Sequence, residues 1–227
     1  MRTKQIALIL YVMCCLLAIF AAITDNDMLM LLSKPAIIPA ILYYYLTSKT
    51  TKVNWILFSV LMLNFIGDTI VLLEIKNQTL IIMIPYFFSY LLLFCFVLKD
   101  VRKMKFLLSG VFMASLIFCF LMYVLYQLIQ MFEDTNPELI TPVLIYGIVL
   151  AILGCIIAYC YYVKVTAFTF YMLMFALTSI VSDVFYMLFH FIFQISFLNY
   201  FEFAAQLLSY YFLVKYFVLR RNYLHYN

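Results

Sequence analysis

Apolar runs long enough for an α-helix to cross a bilayer, roughly 20 residues for about 30 Å of hydrocarbon, recur from one end of the chain to the other with short polar breaks between them. They fall at residues 5–23, 28–47, 54–74, 79–98, 106–131, 139–163, 166–191 and 198–219, and predict eight transmembrane helices. The runs do not alternate polar with apolar residues, which excludes a membrane β-barrel. A content of 69% hydrophobic and only 11% charged residues equally excludes a water-soluble core of this length. The longest polar break, Glu133 to Glu138, spans six residues and leaves no room for a soluble domain. The expectation is an all-α polytopic helical bundle, one integral membrane domain over residues 1–227. The first run follows Arg2 and Lys4 in the manner of a signal peptide. No small-residue cleavage site follows it, and Met13 spoils a lipoprotein site before Cys14, so its retention is expected.

The net charge of +4 raises the question of nucleic-acid binding, which the placement of the basic residues answers. Arg2, Lys4, Lys49, Lys52, Lys99, Arg102, Lys103, Lys105, Lys164, Lys215, Arg220 and Arg221 all fall at the termini or in even-numbered loops, which the positive-inside rule assigns to the cytoplasm. Lys76 alone falls on the opposite side, among Asp25, Asp27, Glu74, Glu133, Asp134 and Glu138. Both termini are therefore expected in the cytoplasm, with no nucleic-acid partner and a multi-pass location in a bacterial inner membrane. Tyrosines crowd the predicted helix ends, as at Tyr43 to Tyr45 and Tyr223 to Tyr226, where a ring sits among headgroups with its hydroxyl wet.

Six cysteines, Cys14, Cys15, Cys95, Cys119, Cys155 and Cys160, lie inside apolar runs without a CxxC pair and read as small hydrophobes. Two histidines, His190 and His225, are too few for a three-histidine zinc site, so neither a metal nor another cofactor is expected.

Four charged residues remain inside the apolar runs: Lys34, Asp68, Asp183 and Glu202. A charge within hydrocarbon costs at least about 2.5 kcal/mol on insertion scales and needs a partner, a wet cavity or a task. In the topology above, all four fall in the outer half of the bundle and can line one cavity. Their neighbours are polar at helical spacing: Asn64 four residues before Asp68, Ser179 four before Asp183, His190 seven after it, and Gln206 four after Glu202. Gly67 removes a side chain beside Asp68 and lets another helix or a ligand approach. Snorkelling of Lys34 to the surface and an interfacial position for Glu202 are the alternatives to a cavity. Pro35, Pro39, Pro85 and Pro142 read as helix-shaping residues.

Lys34-Pro35 with Pro39, Gly67-Asp68, Pro142 with Tyr146, Ser182-Asp183 and Ala205-Gln206, in this order and spacing, make the chain similar to the YhhN-like family of eight-span membrane proteins, whose characterised members are lysoplasmalogenases. The resemblance implies hydrolysis of the vinyl ether bond of lysoplasmalogens to a fatty aldehyde and a glycerophospho-base. It implies Asp68 and Asp183 as catalytic residues, a lysophospholipid substrate and membrane lipid as partners. Tyr90 and Leu93 take the places where the family often has a histidine followed three residues later by a tyrosine. Phe175 and Ser179 replace its usual glycine and phenylalanine.

Vinyl ether hydrolysis begins with protonation of carbon, and water then captures the oxocarbenium ion, so the site needs an acid and an anion. Two carboxylates in one low-dielectric cavity do not both ionise easily, and one can stay protonated while the other stabilises the cation or activates water. Asp68 and Asp183 are expected to divide these roles, with the order of acid and base open. Lys34, Asn64, Ser179, Glu202 and Gln206 are the expected substrate-binding set, with Lys34 against a lipid phosphate. Two other readings stand beside this one. A small transporter or proton-coupled carrier also uses intramembrane carboxylates, though no internal repeat is visible. An assembly factor would keep the aspartates as helix-to-helix hydrogen-bond partners.

Overall fold

The computed structural model describes residues 2–48, 53–73, 78–102, 104–133 and 136–226. Lys49, Lys52, Glu74, Lys76, Lys103 and Asp134, which enter the charge argument above, lie outside the described residues, as do the side chains of Arg2, Glu133 and Arg221. Eight helices follow one another: α1 Arg2–Ile23, α2 Asp27–Ser48, α3 Trp55–Val71, α4 Gln78–Val101, α5 Leu108–Glu133, α6 Pro137–Val163, α7 Ala167–Leu188 and α8 Ser196–Tyr226. Six of them, α1, α2, α4, α5, α6 and α7, are long and apolar enough to cross a membrane, and the chain is an integral membrane protein. The other two fall short of the expected eight for different reasons. α3 is apolar but has only 17 described residues, and α8, with Asn199, Glu202 and Gln206 in its first turns, is the least apolar of the eight.

Capping residues set several helix starts. The Asn26 side chain accepts from the Leu29 amide at 3.0 Å, and that of Asn54 from the Ile56 amide at 3.0 Å. Thr166 and Thr169 form a reciprocal capping box at the start of α7. Pro137 occupies the first turn of α6, where a missing N–H costs nothing. Pro35, Pro39, Pro85 and Pro142 all lie inside helices. α7 ends in a π turn, Phe189–Phe193, and Gln194 with φ of 42° reverses the chain into α8.

Neighbouring helices pair as hairpins, α1 with α2, α3 with α4, α5 with α6 and α7 with α8, while α4 packs on α6 and α8 also meets α1, α2 and α3. The core runs through this assembly as one cluster, from Tyr11 and Ile38 through Leu57, Val97, Leu153 and Ile157 to Leu213. α5 turns much of its surface outward, including Phe112, Leu116, Phe120 and Tyr123, as a lipid-facing helix does. At the end of the bundle that carries the basic residues, Arg220 of α8 holds Asp100 of α4 bidentately, at 2.7 and 2.6 Å, and stacks over the Phe96 ring. The opposite end carries the polar cavity described next.

Candidate functional site

A cavity of about 220 Å³ opens where the starts of α2, α4 and α8 meet the ends of α3 and α7. Its wall includes Lys34, Tyr86, Tyr146, Asp183, Glu202 and Gln206. Lys34 and Glu202 are each 9% exposed, so neither reaches outward to the membrane surface. The Lys34 ammonium sits 5.3 Å from the centroid of the Phe203 ring, within cation–π range. Four of the residues singled out in the sequence, Lys34, Asp183, Glu202 and Gln206, thus come together in one wall.

Asp68 lies one layer back. It is 3% exposed, does not line the cavity, and is engaged on both oxygens. Oδ1 accepts from the Tyr86 hydroxyl at 2.6 Å and from Gln206 Nε2 at 2.9 Å, and Oδ2 accepts from the Tyr210 hydroxyl at 2.8 Å. Gln206 Nε2 also donates to the Tyr86 oxygen at 2.9 Å, which closes the Tyr86–Gln206–Asp68 triangle. Tyr86 and Gln206 both line the cavity and both hold Asp68, so they link the carboxylate to the cavity wall. Three converging donors form the arrangement an acceptor-only carboxylate takes.

Asp183 is placed differently. It faces the cavity directly, and its Oδ2 accepts from the Tyr146 hydroxyl at 2.7 Å and from the Tyr90 hydroxyl at 3.0 Å. The two rings meet edge to face with centroids 5.7 Å apart, which fixes their hydroxyls on the same oxygen. Among the described residues Oδ1 has no hydrogen bond. α4 therefore serves both carboxylates, sending Tyr86 to Asp68 and Tyr90, one turn on, to Asp183.

Asp183 and Tyr146 also stand on a boundary. Both line a small apolar recess of about 60 Å³ between α5, α6 and α7, walled by Leu125, Val143 and Gly147 among others. Tyr146 further lines an apolar groove of about 400 Å³ between α4 and α6, beside Phe87, Pro142 and Ile145. A cavity that carries charged side chains lies on one side of this pair and hydrocarbon-lined space on the other.

Asn64 and Ser179 are buried but do not line the cavity; each lies one helical turn from its aspartate, on the side away from the opening. Helical spacing alone does not separate a residue beside the cavity from one beneath its floor. His190 lies in the π turn at the rim, its ring stacked on Tyr186 with centroids 4.1 Å apart. Tyr86, Tyr90 and Tyr210 were not expected as site residues. Their signal was present in the 86/90 and 206/210 spacings, which put each pair on one helical face.

Fold and site define a polytopic helical membrane protein with a carboxylate-bearing cavity at one end of its bundle. Residues 29–219 match the YhhN family, and the chain belongs to it. No curated protein and no solved structure matches the chain.

Proposed function

We propose that this protein is a membrane hydrolase that cleaves the vinyl ether bond of lysoplasmalogens to a fatty aldehyde and a glycerophospho-base, using Asp68 and Asp183. The observation that carries this reading is the position of Asp183 and Tyr146 between the cavity that holds Lys34 and Glu202 and apolar space: both line the small recess between α5, α6 and α7, and Tyr146 also lines the groove between α4 and α6. A lysoplasmalogen has the same division, since its vinyl ether joins a charged head to a hydrocarbon chain. With the head in the cavity and the chain in an apolar recess, the bond to be broken lies beside Asp183.

In this reading Asp183 is the acid. Its unengaged Oδ1 delivers a proton to the vinyl carbon beyond the ether carbon, while the Tyr90 and Tyr146 hydroxyls on Oδ2 stabilise the carboxylate left behind. The charge that develops is an oxocarbenium ion, and the Asp68 carboxylate stabilises it from behind Tyr86 and Gln206. Water adds to the ether carbon and its proton returns to Asp183. The hemiacetal then collapses, breaking the carbon–oxygen bond to release aldehyde and the glycerol hydroxyl. Membership of the YhhN family supports the reaction class.

The test is aldehyde release by purified protein from lysoplasmenyl-ethanolamine and lysoplasmenyl-choline, beside Asp68→Asn and Asp183→Asn. Release by the wild type and its loss in both variants is expected. No release from either lipid by demonstrably folded protein would sink the reading.

A further inference from the structure

α5 is the least buried of the six helices long enough to cross a membrane, and it packs chiefly against α6. The surface it turns outward is not uniform. One flank is apolar, with Met113, Phe120 and Met131, and suits hydrocarbon. The other carries Ser115, Cys119, Tyr123, Tyr126 and Gln130, all exposed and spaced four, four, three and four residues apart, which puts them on one line along the helix. That line runs about 22 Å, most of the roughly 30 Å of hydrocarbon. Headgroup anchoring explains Tyr126 and Gln130, near the end of α5, but not Tyr123. Tyr123 stands ten residues before Glu133, about 15 Å from the helix end, and a helical side chain leans back toward its helix start, which here is deeper into the hydrocarbon. It is 60% exposed, and among the described residues its hydroxyl has no partner. The Tyr126 oxygen accepts from Gln130 Nε2 at 2.6 Å, which leaves the Tyr126 O–H to donate and the Gln130 carbonyl to accept. Lipid tails offer such groups nothing to bond, and a facing helix does.

We infer that this polar seam of α5 is an interface between two copies of the chain, which pair in the membrane through Cys119, Tyr123, Tyr126 and Gln130. The seam holds donors and acceptors together, so it complements itself. Two copies in one membrane share an orientation, and a two-fold axis along the membrane normal brings each seam residue opposite its own counterpart at the same depth. Ser115 and Cys119 are small and let the second helix come close. The flanks match as well. An apolar groove of about 440 Å³ between α5 and α6, lined by Val111, Phe118 and Ile156 with Ser115 and Cys119, lies on one side of the seam, and the exposed Leu116 lies on the other at the same depth. The two-fold sets Leu116 of each copy against the groove of the other. This interface is on the face of α5 turned away from the carboxylate site and stands whether or not the hydrolase reading does.

Oxidation of membranes holding the full chain with copper phenanthroline tests the seam through a cysteine already on it. With helix axes about 8–10 Å apart and Cα atoms about 2.3 Å from each axis, facing seam Cα atoms come to about 5 Å, within the reach of a disulfide. A disulfide-linked dimer is expected from the wild type and from Cys95→Ser, and none from Cys119→Ser. Cys95, exposed on α4, reports random collision. In lipid vesicles, subunit counting by single-molecule photobleaching is expected to show a dimer for the wild type and for Met113→Trp on the apolar flank, and a monomer for Cys119→Trp. Tyr123→Phe should weaken association about threefold for each hydrogen bond lost, the scale of side-chain bonds between membrane helices. A crosslink that persists in Cys119→Ser, a Cys119 adduct to a different protein in place of the dimer, or a monomeric wild type in vesicles overturns the inference. The crosslink is read on the native chain, so its outcome does not depend on whether the tryptophan variant folds.

Discussion

At the scale of single residues, the two aspartates differ by what holds them. Asp183 faces the cavity with one oxygen engaged, and Asp68 is walled off with both engaged. Asp183→Asn is therefore expected to lower aldehyde release by the factor of about 10²–10⁴ that general acid catalysis supplies, with the melting temperature little changed, as activity and thermal unfolding of one preparation will tell. Tyr146→Phe and Tyr90→Phe each remove one donor to Oδ2 and should each reduce kcat by about tenfold, the scale of one hydrogen bond to a charged group. A loss in KM with kcat intact would count against their role in holding the proton donor. The charged residues of this site were legible in the sequence because a charge in an apolar run has few innocent explanations. The tyrosines were less so: Tyr146 stood out only beside Pro142 in the family pattern, Tyr90 only as a replacement in it, and Tyr86 and Tyr210 only by helical spacing, while among 20 tyrosines nothing in composition marks the four whose hydroxyls turn inward to the carboxylates.

At the scale of helices, close approach of α3 to α4 seats Tyr86 on Asp68. A methyl group added at Gly67 would stand 2.9 Å from the Tyr86 ring, nearer than real Cβ contacts come, so the ring must move away from the carboxylate it serves. Gly67→Ala is expected to lower activity by about tenfold while leaving Asp183 untouched, and Gly67→Ala combined with Tyr86→Phe should be no worse than Tyr86→Phe alone. Additive losses in that cycle would show that the glycine matters for something other than this ring. A second element-level contact lies far from the cavity, where Arg220 clamps α8 to α4 through Asp100. Its two side chains are only 17% and 16% exposed, so Arg220→Ala should destabilise the fold by about 1–3 kcal/mol, read as a lower melting temperature, with unchanged turnover in the protein still folded at low temperature. The eight helices themselves were visible from run length and hydropathy, with ends mostly within a few residues of those observed. The π turn closing α7 was not, because Phe189 to Phe193 is as apolar as the helix before it and no proline or glycine marks the change.

At the scale of the whole molecule, chain direction decides which end of the bundle the cavity occupies. Lys34 lies near the start of α2, Thr79 near the start of α4, Asp183 near the end of α7 and Glu202 near the start of α8, and all of them line it. Lys4 at the start of α1, Lys99 and Arg102 at the end of α4, Lys105 before α5, Lys164 after α6, and Lys215 and Arg220 near the end of α8 belong to the other end. Positive charge marks the cytoplasmic side, so the cavity should open toward the opposite leaflet, which would then be the source of the proposed lysolipid substrate. Single cysteines introduced in a background whose six native cysteines are replaced test this directly. Asn26→Cys, in the turn between α1 and α2, should react with a membrane-impermeant thiol reagent on intact cells, and Lys105→Cys should react only after permeabilisation. The reverse pattern would turn the bundle over and make the cytoplasmic leaflet the source of the proposed substrate, leaving the chemistry proposed at Asp183 unchanged.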